Sequence, residues 1–273
     1  MPPTRNAARP LRPLAVPHRP GGGPSGGPPR AIRPCDQVSS RPSTEAAMRQ
    51  TNLTGEPAEY LDAREELRRA EIDLMRRRER VAELRRRLPL GPAVDDYAFE
   101  EGPEDLDAGD SPARTVRLSE LFTGPGRELL VYHLMYGKKQ TEPCPMCTMW
   151  IDGLNGIAHH VRQNADFAVV AAADLPSLRA HARNRGWTNV RLLSAEDSTF
   201  KQDLGSEDTE GNQDSTVSVF VRDDGGSVRH FYSVHPRMAD DIDERGIDLL
   251  TPVWHLLDLT RRGRGDWYPT LSY

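Results

Sequence analysis

Two cysteines three residues apart, Cys144 and Cys147 in EPCPMCTMW, are the residues of this chain with the most chemistry to offer. At the start of a helix this spacing brings two sulfurs close enough to bond. Pro145 between them suits the first helical position, where the N–H it lacks would have had no helical partner. A helix N-terminus carries about half a positive charge and free N–H groups, which stabilise a thiolate on the first cysteine. Cys144 is then the attacking sulfur. Cys147, one turn inward toward Ile151 and Leu154, is expected to be buried and protonated until a mixed disulfide forms, which it then resolves. Two other readings compete. As half of a zinc site the pair supplies two thiolates and needs His133, or His159 and His160, to complete a tetrahedron, and the chain has no second C-x-x-C. His159 and His160 are neighbours on a predicted helix and point in different directions. In the third reading the pair are two small core side chains, and Trp150 beside them is a core or rim aromatic.

The elements that must position the pair are legible on either side of it. RELLVYHLMYG (127–137) is an apolar run of strand length, and DFAVVAAAD (166–174) is a second, so both suit central strands of a covered sheet. Between them Met149, Ile151, Leu154, Ile157, Ala158 and Val161 recur at helical spacing. Strand, helix, strand at these lengths is a βαβ unit, and a C-x-x-C at its first turn is the setting of a thioredoxin-like redox motif. Gly153 and Gly156 lie mid-helix, where a bend is expected. LPSLRAHARNRGW reads as a helix opened by Pro176 and stopped at Gly186, and TNVRLLS as a short strand. TVSVFVR and SVRHFYSV alternate as half-buried strands, joined by DDGG, whose Asp224-Gly225 suits a tight primed turn. DERGIDLLTPVWHLLDL supplies a closing helical stretch. The order predicts an α/β fold, a mixed sheet with helices on both faces.

Upstream the composition changes twice. Residues 1–50 form a Pro/Gly/Arg-rich tract without periodic apolar positions, expected to be disordered, and the third cysteine, Cys35, is a bystander there. Met48 is a second candidate start. Residues 57–88 are rich in helix formers, with Tyr60, Leu67, Leu74, Val81 and Leu88 every seventh residue and Arg77 interrupting a second stripe. This predicts a long helical arm that packs on its own domain or on a partner subunit, including a second copy. Residues 89–114 read as an acidic, Pro- and Gly-punctuated linker, and a compact domain is expected over 115–273.

With 36 basic and 41 acidic residues, a net charge of −5, the chain is not built to attract nucleic acid or anionic lipid. Its longest apolar runs are of strand length, far short of the roughly 20 residues that cross a bilayer, and it does not open with a secretory signal layout. A cytoplasmic protein without cofactor or resident metal is expected, where a close cysteine pair is more often catalytic or metal-binding than structural.

The segments LVYHLMYGKKQTEPCPMCTMWIDGLNGIAHHV, RDDGGSVRHFYSV and LLTPVWHLLDLTRRGRGDWY closely resemble a bacterial domain-of-unknown-function family described as thioredoxin-like dithiol-disulfide oxidoreductases, from about Tyr60 to Tyr273. The resemblance implies a thioredoxin fold and a redox pair at Cys144 and Cys147, acting on a disulfide or peroxide and recycled by an unidentified reductant. EDSTFKQDLG (196–205) is similar to the segment before the last strands of peroxiredoxin-type relatives. Two departures stand out. Pro143, not Trp, precedes the first cysteine, and Ser215-Thr216, not a cis-proline, opens the strand expected to face the pair, which makes Thr216 the candidate beside the sulfurs. The readings carried forward are a thiol–disulfide oxidoreductase, a thiol peroxidase, and a non-enzymatic binder of a soft metal or of a protein through the 57–88 helix.

Overall fold

The structure is a computed structural model that describes residues 53–241 and 246–273. The Pro/Gly/Arg-rich tract, with Cys35 and Met48, lies outside the described residues apart from its neighbours from Leu53 onward. The chain divides into two units, Met1–Glu66 and Leu67–Tyr273. In the first, the described residues include the opening turns of helix α1 (Ala58–Arg86), where Arg64 bonds Glu56 at 2.6 Å. None of α1 is buried, and its heptad residues Tyr60, Leu67, Leu74 and Val81 are 43–58% exposed. Within the second unit, Arg85 near its end stacks on the Tyr232 ring at 5.1 Å. None of the described helices is long and apolar enough to cross a membrane.

The second unit is built on one sheet of seven strands: β1 (Ala98–Glu101), β2 (Arg114–Arg117), β3 (Leu129–Leu134), β4 (Asp166–Ala171), β5 (Arg191–Ser194), β6 (Thr216–Arg222) and β7 (Val228–Val234), in the order β2-β1-β5-β4-β3-β6-β7. β3, β4 and β5 are parallel, and β1, β2, β6 and β7 run antiparallel to their neighbours. The helices are α2 (Pro145–Val161), α3 (Leu175–Arg185), α4 (Phe200–Asp203) and α5 (Pro252–Asp258). β3-α2-β4 and the hairpin β6-β7 followed by α5 make this a mixed α/β fold of thioredoxin-like arrangement.

Strand alternation sorts the core into two faces. Tyr132, Leu134, Val169 and Ala171 join Cys147, Trp150 and Ile151 of α2, Leu178 and Ala182 of α3, and Trp254 of α5. Leu129, Val131, Ala168 and Val170 pack instead with Phe200 of α4 and with Leu118 and Leu121, from a single 3-10 turn. All six residues of β4 are buried, which explains its continuous apolar run. α2 runs unbroken through Gly153 and Gly156.

Two expectations need correction. The hairpin turn is not a two-residue primed turn at Asp224-Gly225. The left-handed residue is Gly226, with φ 84°; its N–H donates to Asp223 O and the Asp223 carboxylate caps Gly225 and Ser227, so the loop is longer and ends on the glycine. Nor is 89–114 a plain linker, since β1 lies within it and the sheet begins well before residue 115. Its acidic composition is answered by Arg179 of α3, 3% exposed, which donates to the carbonyls of Pro103, Asp105 and Gly109 and pairs with Asp110. Gly102 leaves room for this, because a Cβ there would stand 2.8 Å from Arg179 Nε. Backbone carbonyls are acceptors that no side-chain composition shows.

Arg179→Met is therefore expected to lower stability by about 2–4 kcal/mol, because three backbone carbonyls lose their donor together and Asp110 keeps only its pairing with Arg183. Urea unfolding measures it; a loss under about 0.5 kcal/mol would contradict the assignment.

Candidate active site

The N-terminus of α2 is the pivot of the site. Cys144 is its cap residue, with extended backbone at φ −61° and ψ 125°, and its sulfur accepts from the Cys147 N–H at 3.5 Å. The sulfur thus occupies the place of a serine or aspartate cap oxygen, facing otherwise unpaired N–H groups. Pro145 is at the first helical position. The preceding chain is tied back to the sheet by Cys144 N–H donating to Met135 O at 2.9 Å. The first turn is also fastened to α3: Thr148 donates to Cys144 O at 3.0 Å and lies 3.1 Å from His181 Nε2. Burial and then the nearby Arg185 hold His181 down to about 4, so the ring is neutral and can donate to the Thr148 hydroxyl from Nε2–H.

The two thiols are free, with Cys144 half-buried and Cys147 only 1% exposed. Their acidities diverge. A hydrogen bond from the Cys147 thiol brings Cys144 down to about 6 against the opposing effect of burial, with further help from the N–H groups of Cys147 and Met146 and from the Tyr268 hydroxyl. Cys147 is pushed the other way, first by burial and then by hydrogen bonding to Cys144 and the charge there; Tyr132 and the Met135 N–H act against that rise. At neutral pH the outer sulfur is mostly thiolate and the inner one a thiol. The Tyr132 hydroxyl is buried without a nitrogen or oxygen partner and faces Cys147 as a contact rather than a well-formed hydrogen bond.

Tyr268 belongs to the C-terminal tail, which is anchored in several places. Arg264 reaches Asp248 and Asp258 at 2.6 Å each and stacks on Trp254 at 4.8 Å. Trp267 meets Trp254 edge-on at 5.5 Å, and Arg185 donates to Leu271 O at 3.0 Å. The tail thereby sets an aromatic hydroxyl beside the attacking sulfur.

A model of a bacterial protein family of unknown function, DUF899, matches residues 49–272. The chain belongs to this family. Nothing among curated proteins matches this DUF899 member. Solved structures similar to it include AhpC of Enterococcus faecalis, at 11% identity over 59% of this chain and 87% of the other with a TM-score of 0.41. AhpC of Mycobacterium tuberculosis is similar at 16% identity over 60% and 88%, TM-score 0.39. The mitochondrial 2-Cys peroxiredoxin of Plasmodium falciparum is similar at 13% over 59% and 90%, TM-score 0.42. The chemistry of the cysteine pair rests on its own geometry.

The remaining sequence candidates have their own partners. Thr216 opens β6 opposite His133, is fully buried, and its hydroxyl lies 3.0 Å from His235 Nδ1; the 215–216 peptide is trans. His133 lies on the other face of β3 from Tyr132, with Nδ1 2.7 Å from Ser206 Oγ and Nε2 3.1 Å from Ser218 Oγ, and burial holds it neutral. Both ring nitrogens are occupied, so it does not complete a metal set with the cysteines. Trp150 is a core residue, edge-on to Tyr132 at 6.2 Å. A cavity of about 770 Å³ opens at the opposite end of the sheet, lined among others by Arg127, Asp166, Arg179 and Arg191. These arginines are already bonded to Asp166, Asp110 and Glu101. Sequence reasoning missed Tyr268, Tyr132 and Met135. The aromatic-tipped tail RRGRGDWYPTLSY was the one visible trace of the first.

Alkylation of Cys144 by iodoacetamide should rise with pH around a midpoint near 6. Tyr268→Phe removes a donor to the thiolate, so the midpoint should move up, by about one unit or less. A midpoint at the ordinary thiol value in the unaltered protein would contradict the arrangement.

Proposed function

We propose that the protein is a thiol–disulfide oxidoreductase. One observation carries the reading: a half-exposed sulfur held as thiolate on the N-terminus of α2, hydrogen-bonded to a second sulfur that is buried one turn inward. The Cys144 thiolate attacks a substrate disulfide, the substrate S–S bond breaks, and one substrate half leaves as thiolate to be protonated by solvent. Cys147 then gives up its proton and attacks the Cys144 sulfur. The Cys144–Cys147 bond forms, the mixed disulfide breaks, and the second substrate half leaves as a thiol. The protein has lost two electrons and the substrate has gained them. An external thiol reverses both exchanges on the enzyme and returns the pair to the dithiol.

The arrangement also favours a direction of poise. Stabilising the Cys144 thiolate stabilises the reduced form, which makes the disulfide a better oxidant than an unperturbed cysteine pair would form. The partners implied are a disulfide-bearing substrate and a thiol reductant.

Titration in glutathione redox buffers, read by thiol alkylation and intact mass, should show one two-electron couple assigned to these cysteines. Cys144→Ser should abolish it, and Cys147→Ser should accumulate a stable glutathione adduct at Cys144. A pair that stays reduced in fully oxidising buffer would refute the reading.

A further inference from the structure

Lys201 in α4 is fully buried, and its Nζ donates to Leu134 O at 2.8 Å. Among the described residues no carboxylate lies within ion-pair distance of it. An ammonium placed so is costly unless something nearby uses its charge. Burial lowers Lys201 to about 8, while Cys147, Glu207 and Asp214 favour the charged form. His133, the basic group near it on β3, is neutral and bonded to two serines.

The carbonyl that Lys201 holds belongs to the Leu134–Met135 peptide, and the N–H of that same peptide acts against the rise of Cys147, as a contact rather than a well-formed hydrogen bond. One peptide group therefore joins the ammonium to the inner sulfur. A cation on a carbonyl polarises the amide and strengthens its N–H as a donor. Such a donor favours thiolate over thiol at Cys147. The groups facing Cys147 are Cys144 from α2, Tyr132 from β3 and, through the peptide, Lys201 from α4.

The timing of this help follows from the charges. While Cys144 is a thiolate, its negative charge opposes ionisation of Cys147. Once Cys144 is bonded to substrate, that charge is gone and the field of Lys201 has only burial to work against. We infer that Lys201 is a positioning residue for the resolving step, its ammonium stabilising the Cys147 thiolate through the Leu134–Met135 peptide as that sulfur attacks Cys144. At neutral pH Lys201 is an ammonium and keeps its protons through the step. The Cys147 proton leaves on the departing substrate sulfur, the Cys144–substrate bond breaks and the Cys144–Cys147 bond forms. The inference rests on the dithiol reading above.

The test is rapid mixing of the reduced protein with oxidised glutathione, followed by acid quench and intact mass, across pH 6–9. In Lys201→Met the glutathione adduct should form at the unaltered rate but resolve about tenfold more slowly, with the resolving midpoint about one unit higher. Lys201→Arg should recover part of the rate. Resolution by Lys201→Met at the unaltered rate and midpoint would overturn the inference while leaving the dithiol reading intact. Failure of the unaltered protein to form any disulfide would instead remove the dithiol reading. Should the methionine variant not fold, Lys201→Gln takes its place: the same slowing of resolution is expected, and resolution at the unaltered rate overturns the role of Lys201.

Discussion

The site depends on one interaction, the acceptance by the Cys144 sulfur of an N–H from the first turn of α2. A helix leaves its first N–H groups unpaired, and here a side chain able to become an anion takes the capping place. This choice couples structure to protonation, because the cap is a better acceptor as thiolate than as thiol. It also requires that α2 begin where β3 delivers the chain. The bond from Cys144 N–H to Met135 O and the Thr148–His181 contact to α3 hold that start in place.

Around this point the protein separates two chemically identical groups by environment alone. Cys144 meets water, backbone donors and the Tyr268 hydroxyl, whereas Cys147 meets the apolar layer between β3 and α2. Helix α4 then supplies a cation, Lys201, brought into play by a single peptide at the end of β3. A buried lysine bonded to one carbonyl makes poor sense as a stabilising device and good sense as a source of field.

Much of the fold could be read from the residues because its signals are local. The apolar runs of β3 and β4, the helical spacing of α2, and Pro176 with Gly186 around α3 each act within a few residues; Gly186 indeed adopts the left-handed backbone at φ 67°. Cys144, Cys147 and Pro145 were visible for the same reason. Long-range pairings left no such mark. Arg179 lies 69 residues from Asp110, Lys201 lies 67 from Leu134, and Tyr268 comes back to the first sulfur from the far end of the chain. The short β1 was hidden by its charges, since Glu100 and Glu101 weigh toward a solvated linker when the Arg114 and Arg191 guanidiniums that neutralise Glu101 are out of view. The primed turn failed because Asp223 gathers N–H groups with its carboxylate and so moves the left-handed residue one place along.

The pair β1 and β2 also decides what the sheet shows to other molecules. β2 is the rim on that side, four residues long with an arginine at each end, a poor template for strand addition. Were the segment that Arg179 gathers to come loose, β5 would become the rim, and its buried Leu192 and Leu193 would border open backbone. The outer hairpin therefore works as a hem over the edge of β5.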